Sequence, residues 1–144
     1  MSLDVLLVED NPGDVRLTRE VFRAANGAIR LHVAADGVEA MSFLKKQGNH
    51  TGAPRPALIL LDLNLPKMDG REVLARIKKD EGLKTIPTVI LSAVEAAADV
   101  DASYRLHANC YLTKPVIADD LDRIIGLIND FWLRNVKSPT TAVN

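Results

Sequence analysis

The chain has 144 residues, 47% of them hydrophobic and 26% charged, an ordinary balance for a soluble protein long enough to bury its own core. With 18 basic and 19 acidic residues the net charge is −1, so no positive surplus exists to grip a phosphate backbone and nucleic acid is not an expected partner. Aromatics at 4% are too few for a base-stacking platform, and the longest apolar run, 57–61, is far short of the ~20 residues of a membrane span.

Residues 5–8 are wholly apolar and strand-like, and they run into Glu9-Asp10. Asn11-Pro12 then reads as a helix start, Asn as N-cap and Pro in the first turn. That helix is expected to reach Ala25, with Val15, Thr18, Val21 and Phe22 on one face, until Asn26-Gly27 stops it. Residues 29–34 alternate as a half-exposed edge strand does. Asp36-Gly37 opens a helix with Val38, Met41 and Leu44 turned inward, and 47–56 is a Gly- and Pro-containing loop.

Residues 57–61 form the next buried strand, ending at Asp62. Turn residues 65–70 lead into a helix that buries Val73, Leu74 and Ile77, with Lys78-Lys79, like Lys45-Lys46, on solvated faces. Residues 86–91 make a fourth strand ending at Ser92, and an Ala-rich helix is expected over 95–106. A short fifth strand, 109–112, carries Cys110 as a buried, inert thiol and is followed by Thr113-Lys114-Pro115. The last helix, 118–133, places Leu121, Ile124, Ile125, Ile128 and Trp132 on one core stripe, and 134–144 has no apolar period and is expected to be a tail. One cysteine cannot form an internal bridge, and no basic-then-apolar leader is visible; both point to a reducing cytoplasm. His32, His50 and His107 have no metal-ligand spacing and read as surface or edge residues.

Five strand–helix alternations imply an α/β fold with a parallel sheet covered on both faces, either in a flavodoxin-like order 2-1-3-4-5 or as a half-Rossmann layout. Ligands in such sheets sit beyond the carboxyl ends of the strands. Those ends carry Glu9 and Asp10, Asp62, Ser92 and Lys114. In the order 2-1-3-4-5 the first and third strands are neighbours, so Asp10 and Asp62 converge. Carboxylates ~4 Å apart repel by on the order of 4 kcal/mol per pair at an effective dielectric near 20. Such a cluster needs a cation, and hard oxygen ligands suit Mg²⁺ or Mn²⁺. Ser92 as a donor and Lys114 as a point charge suit a small tetrahedral anion such as phosphoryl. Asp62 is then a metal ligand, or also a nucleophile that forms an acyl phosphate.

Taken singly these residues are ordinary: Glu9 and Asp10 could cap a helix dipole, Asp62 could begin a turn, and Lys114 could be solvated. The constellation carries the argument. Val8-Glu9-Asp10-Asn11, Leu61-Asp62-Leu63-Asn64-Leu65-Pro66-Lys67-Met68-Asp69-Gly70, Leu91-Ser92-Ala93 and Tyr111-Leu112-Thr113-Lys114-Pro115 resemble the receiver domains of two-component response regulators, over about 4–133. Asp14-Val15-Arg16-Leu17-Thr18, Gly70-Arg71-Glu72-Val73-Leu74, residues 103–112 and Phe131-Trp132-Leu133 are similar to stand-alone receivers that partner cyanobacterial-type phytochrome kinases.

The resemblance implies that Asp62 accepts a phosphoryl group from a phosphohistidine on a sensor histidine kinase. It implies Mg²⁺ held by Asp10 and Asp62 directly, by Glu9 through water and by the Asn64 backbone carbonyl. Lys114 would hold a phosphoryl oxygen, with a cis peptide between Lys114 and Pro115. Ser92 would bond the phosphoryl group and Tyr111 would follow it inward. That movement would change the face made by the helix expected over 95–106, the fifth strand and the last helix, through which a partner docks or a homodimer forms. On this reading the chain is a stand-alone switch and not a turnover enzyme, since the length leaves no room for an output domain. A phosphatase of the haloacid-dehalogenase type wants an Asp-x-Asp motif on the first strand, where this chain has Glu9-Asp10-Asn11-Pro12. A nucleotide or flavin site wants a Gly-rich turn there, and acidic residues would repel a pyrophosphate.

Overall fold

The computed structural model describes residues 3–25, 27–92 and 110–135. In chain order these form β1 (Leu3–Val8), α1 (Pro12–Phe22), β2 (Ile29–Ala34), α2 (Gly37–Lys45), β3 (Leu58–Asp62), α3 (Gly70–Lys79), β4 (Thr88–Ser92), β5 (Cys110–Thr113) and α4 (Ala118–Asn135). Every strand pair is parallel and the order is β2-β1-β3-β4-β5, the flavodoxin-like alternative. The helix expected over 95–106, His107, the side chain of Trp132 and residues 136–144 lie outside the described residues, and α4 takes in 134 and 135, which the sequence assigns to the tail.

Local chemistry sets where the helices begin. Asn11 caps α1 by accepting the Asp14 N–H at 3.0 Å, with Pro12 in the first turn. Asp36 caps α2 through the Glu39 N–H, and Asp69 caps α3 through the Arg71 N–H. A 3₁₀ turn, Arg23–Ala25, carries α1 to the stop that the sequence places near Asn26-Gly27.

The strands bury both faces. On one, Leu6, Val8, Ile59, Leu61 and Ile90 pack under α2 and α3 through Ala40, Met41, Leu44, Val73, Leu74 and Ile77. On the other, Val5, Leu7, Leu58, Leu60 and Val89 meet Phe22 of α1 and Leu121, Ile124 and Ile128 of α4. Each of these side chains larger than Ala40 contributes about 1.5–3 kcal/mol by leaving water.

Four local expectations change. Val38 is 48% exposed, because Ala40, Met41, Phe43 and Leu44 fill the buried face of α2 and leave Val38 on its flank. Lys78 is half-buried and its ammonium donates to the Ile86 carbonyl at 3.3 Å, with burial pulling its pKa down, so it is no solvated surface lysine. Strand β4 starts at Thr88, just after Pro87, which has no N–H to give a ladder. Cys110 is half-buried, because β5 is the last strand of the described sheet, and Arg123 approaches its Sγ at 3.6 Å.

The connection from β1 to β2 leaves on one side of the sheet and the path to β3 crosses to the other. The carboxyl ends of β1 and β3 therefore open into a crevice, and the chemistry-bearing residues stand around it.

Candidate functional site: an acidic crevice closed by a lysine

Strand β1 ends by handing the chain to the crevice. The Glu9 N–H still bonds the Ala34 carbonyl at 3.0 Å, so the ladder holds Glu9 in register while its side chain, 2% exposed, turns inward. The Asn11 N–H donates back to Glu9 Oε2 at 3.1 Å. Asp10, one residue on, is exposed. Strand β3 delivers Asp62, whose side chain is 7% exposed and whose Oδ1 accepts the Asn64 N–H at 3.0 Å. Gly70 makes this loop possible. A Cβ there would meet the Asp62 carbonyl oxygen and the Leu63 Cα, and the Gly70 N–H ties down the Leu63 carbonyl at 2.9 Å.

Glu9, Asp10 and Asp62 each offer a carboxylate oxygen within 4.8 Å of the others. From the far strand of the sheet Lys114 reaches into the same space. Its ammonium lies 2.7 Å from Glu9 Oε1, 2.9 Å from Asp62 Oδ2 and 3.1 Å from Asp14 Oδ2. The Lys114–Pro115 peptide is cis, as the resemblance implies.

Burial raises Glu9 above the usual glutamate range and the Asp62 charge adds to the rise, against hydrogen bonds from Lys114 and the Asn11 N–H. Burial pulls Lys114 down, but hydrogen bonds to Glu9, Asp62 and Asp14 outweigh it and carry the lysine above its ordinary value. Lys114 therefore stays charged throughout the physiological range. One ammonium faces three carboxylates, and Asp10 adds a fourth acid beside Glu9 and Asp62, which leaves an excess of negative charge that a hard divalent cation fits.

The structure brings Glu9, Asp10, Asp62 and Lys114 together, with Asn64 beside Asp62. Ser92 ends β4 and pairs in register with Thr113, next to Lys114 in sequence; its side chain lies outside the described residues. Tyr111 stands lower on β5, half-buried against the core on the α2 and α3 side of the sheet. Asp14 is the residue that site reasoning from sequence missed. An acid in the first turn of a helix reads as a dipole partner, and only the fold shows that this turn points across the strand ends at a lysine 100 residues away.

Comparison with known proteins gives the family. The family described as "Response regulator receiver domain" matches residues 5–126. The chain is 50% identical over 135 residues to response regulator Rcp1 of Synechocystis sp., spanning 94% of this chain and 92% of Rcp1. The crystal structure of the Mn(2+)-bound form of Rcp1 superposes with a TM-score of 0.74 at 50% identity, covering 91% of this chain and 94% of that one. The phosphorylated cyanobacterial phytochrome response regulator RcpA superposes with a TM-score of 0.78 at 47% identity, covering 92% and 95%.

Proposed function

The chain belongs to the response regulator receiver domain family, and we propose that Asp62 is its phosphoacceptor, charged by a phosphohistidine on a sensor histidine kinase. The observation that carries this reading is the Asp62 carboxylate itself, buried at the end of β3 between two acids and an ammonium at 2.9 Å. An Asp62 oxygen forms a bond to phosphorus as the phosphorus–nitrogen bond to the donor imidazole breaks. The imidazole nitrogen keeps the electron pair and takes a proton from solvent. We assign Lys114 to hold a phosphoryl oxygen and Ser92, the last residue of β4, to bond the phosphoryl group.

The acidic trio fits a hard divalent cation, and the Mn(2+)-bound Rcp1 structure supports binding of that class. We assign Mg²⁺, held by Asp10 and Asp62, by Glu9 through water and by the Asn64 backbone carbonyl. When bound, such an ion supplies charge neutralisation for the phosphoryl oxygens.

The name of RcpA, a cyanobacterial phytochrome response regulator, supports a phytochrome-type kinase as partner. The signal leaves as a changed protein contact, with Tyr111 and β5 at the margin that responds and docking or homodimerisation as the output. The chain is a phosphoacceptor and not a catalyst acting on an external substrate. Among the described residues no helix is long and apolar enough to cross a membrane, and the free Cys110 thiol fits a reducing cytoplasm.

Incubation with Mg²⁺ and acetyl phosphate, read by intact mass, tests the assignment. The expected result is a gain of one phosphoryl group that is absent in Asp62→Asn. A gain that survives Asp62→Asn would sink it, as would multiple turnover of a phosphate ester without a phosphorylated protein.

A further inference from the structure

The donors of Lys114 are fully taken. An ammonium has three N–H groups, and the carboxylates of Glu9, Asp62 and Asp14 accept all three. While those contacts stand, no donor is left for a phosphoryl oxygen. Glu9 and Asp62 also belong to the acidic trio at the strand ends. Asp14 does not, and among the described residues its carboxylate pairs with Lys114 alone.

We propose that Asp14 is a positioning residue that acts as a counter-ion brake on Lys114, weakening the lysine's grip on the phosphoryl group that Asp62 receives. The proposal rests on the phosphoacceptor reading of Asp62. The backbone of Asp14 is held on both sides of its Cα: Asn11 Oδ1 accepts its N–H at 3.0 Å, and its carbonyl accepts the Thr18 hydroxyl at 2.9 Å. The carboxylate is therefore aimed by α1 and does not hang from a loop.

Its side chain is 33% exposed, against 12% for Lys114 and 7% for Asp62. Asp14 is thus the solvent-side partner of the ammonium, at a narrow cleft bordered by Leu17, Thr18 and Val116. Water can replace it there more easily than it can replace either buried acid. Freed from Asp14, Lys114 has a donor to turn toward phosphoryl. Held by Asp14, it shares its charge with an anion that repels the incoming one. Asp14 makes no bond and moves no proton in the reaction. With acetyl phosphate, an Asp62 oxygen bonds phosphorus while the phosphorus–oxygen bond to acetate breaks, and acetate leaves with the electron pair.

Asp14→Asn keeps an acceptor oxygen in place and removes only the charge. Glu20→Gln is the control, because it deletes an exposed acid elsewhere on α1 that pairs with Arg23. With acetyl phosphate and Mg²⁺, the half-saturating donor concentration of Asp14→Asn is expected to fall about threefold or more at low ionic strength, with a smaller change in maximal rate. The gap should close in high salt, since a partly exposed carboxylate is screened. Asp14→Ser should move in the same direction, which keeps the test alive if one variant folds poorly. Glu20→Gln should follow wild type. In the metal-free protein, the Lys114 ammonium ¹⁵N resonance should shift in Asp14→Asn and hold in Glu20→Gln.

An unchanged or raised half-saturating concentration in Asp14→Asn overturns the proposal, and so does a salt-independent effect or an unmoved Lys114 resonance. Wild-type protein that takes no phosphoryl group at all overturns the Asp62 reading first and this proposal with it, a result distinguishable from the other three.

Discussion

Glu9 shows how one side chain holds opposing demands. Burial keeps its carboxyl above the ordinary range, so the folded protein binds that proton more tightly than the unfolded chain does. A raised folded value contributes stability that is complete below the unfolded value and is lost as pH rises through the folded one. In the metal-free protein the buried Glu9 carboxyl therefore costs stability as the pH rises through its folded value. Glu9→Gln should raise the thermal midpoint of the metal-free protein at pH 7 and bring little gain near pH 4. The same change should weaken divalent-ion binding about tenfold or more. Calorimetric melts at the two pH values and a metal titration check both halves; a lower midpoint at pH 7 would show that the hydrogen bonds to Lys114 and Asn11 outweigh the burial penalty.

The elements explain how the side chains come to meet, and how much of that is written locally. Helix α2 sits against the loop that follows Asp62, and its first residue leaves no room: a Cβ on Gly37 would meet the Met68 carbonyl oxygen, Met68 Cβ and Val73 Cγ2. Lys67, in that same loop, has a left-handed backbone at φ 66° and reaches the α2 cap Asp36 at 3.4 Å. Gly37→Ala should cost about 1–3 kcal/mol through overpacking, read by urea denaturation. It should also slow acyl-phosphate formation at Asp62, although it lies in a different helix from every site residue; a variant that loses stability but phosphorylates normally would uncouple α2 from the loop.

The local signals for these elements are strong. Asn11-Pro12, Asp36-Gly37 and Asp69-Gly70 announce their helices, and the apolar runs of β1 and β3 announce a sheet covered on both faces. Strand ends with acids at Glu9, Asp10 and Asp62 make the crevice legible too. Asp14 and Lys78 were not legible, because whether a charged residue on a helix faces solvent or a neighbour depends on what packs above it. Val38 differs for a related reason: an apolar residue on the flank of a buried helical stripe can still fall outside the contact, as Val38 does at 48% exposure.

For the whole molecule, stability and ligand binding are linked. The uncompensated acids of the crevice mean that a divalent cation should stabilise the folded chain well beyond any general salt effect. At a concentration one hundred times its dissociation constant the gain is about 2.7 kcal/mol. Melts in Mg²⁺ against matched NaCl check this, and Asp10→Asn should remove most of the difference. Equal midpoints in the two salts would mean that the acidic trio does not bind.

The reach of Lys114 has a consequence for how the chain is made. Its contacts to Asp62 and Asp14 close loops of 52 and 100 residues, and closing loops so long costs chain entropy before the contacts offset it. Until β5 has docked, the acids of β1, α1 and β3 lack the ammonium that completes the site. Phosphorylation competence is thus a report on finished folding, and a nascent chain held on the ribosome short of Lys114 should be silent to its kinase however well its first three strands are formed.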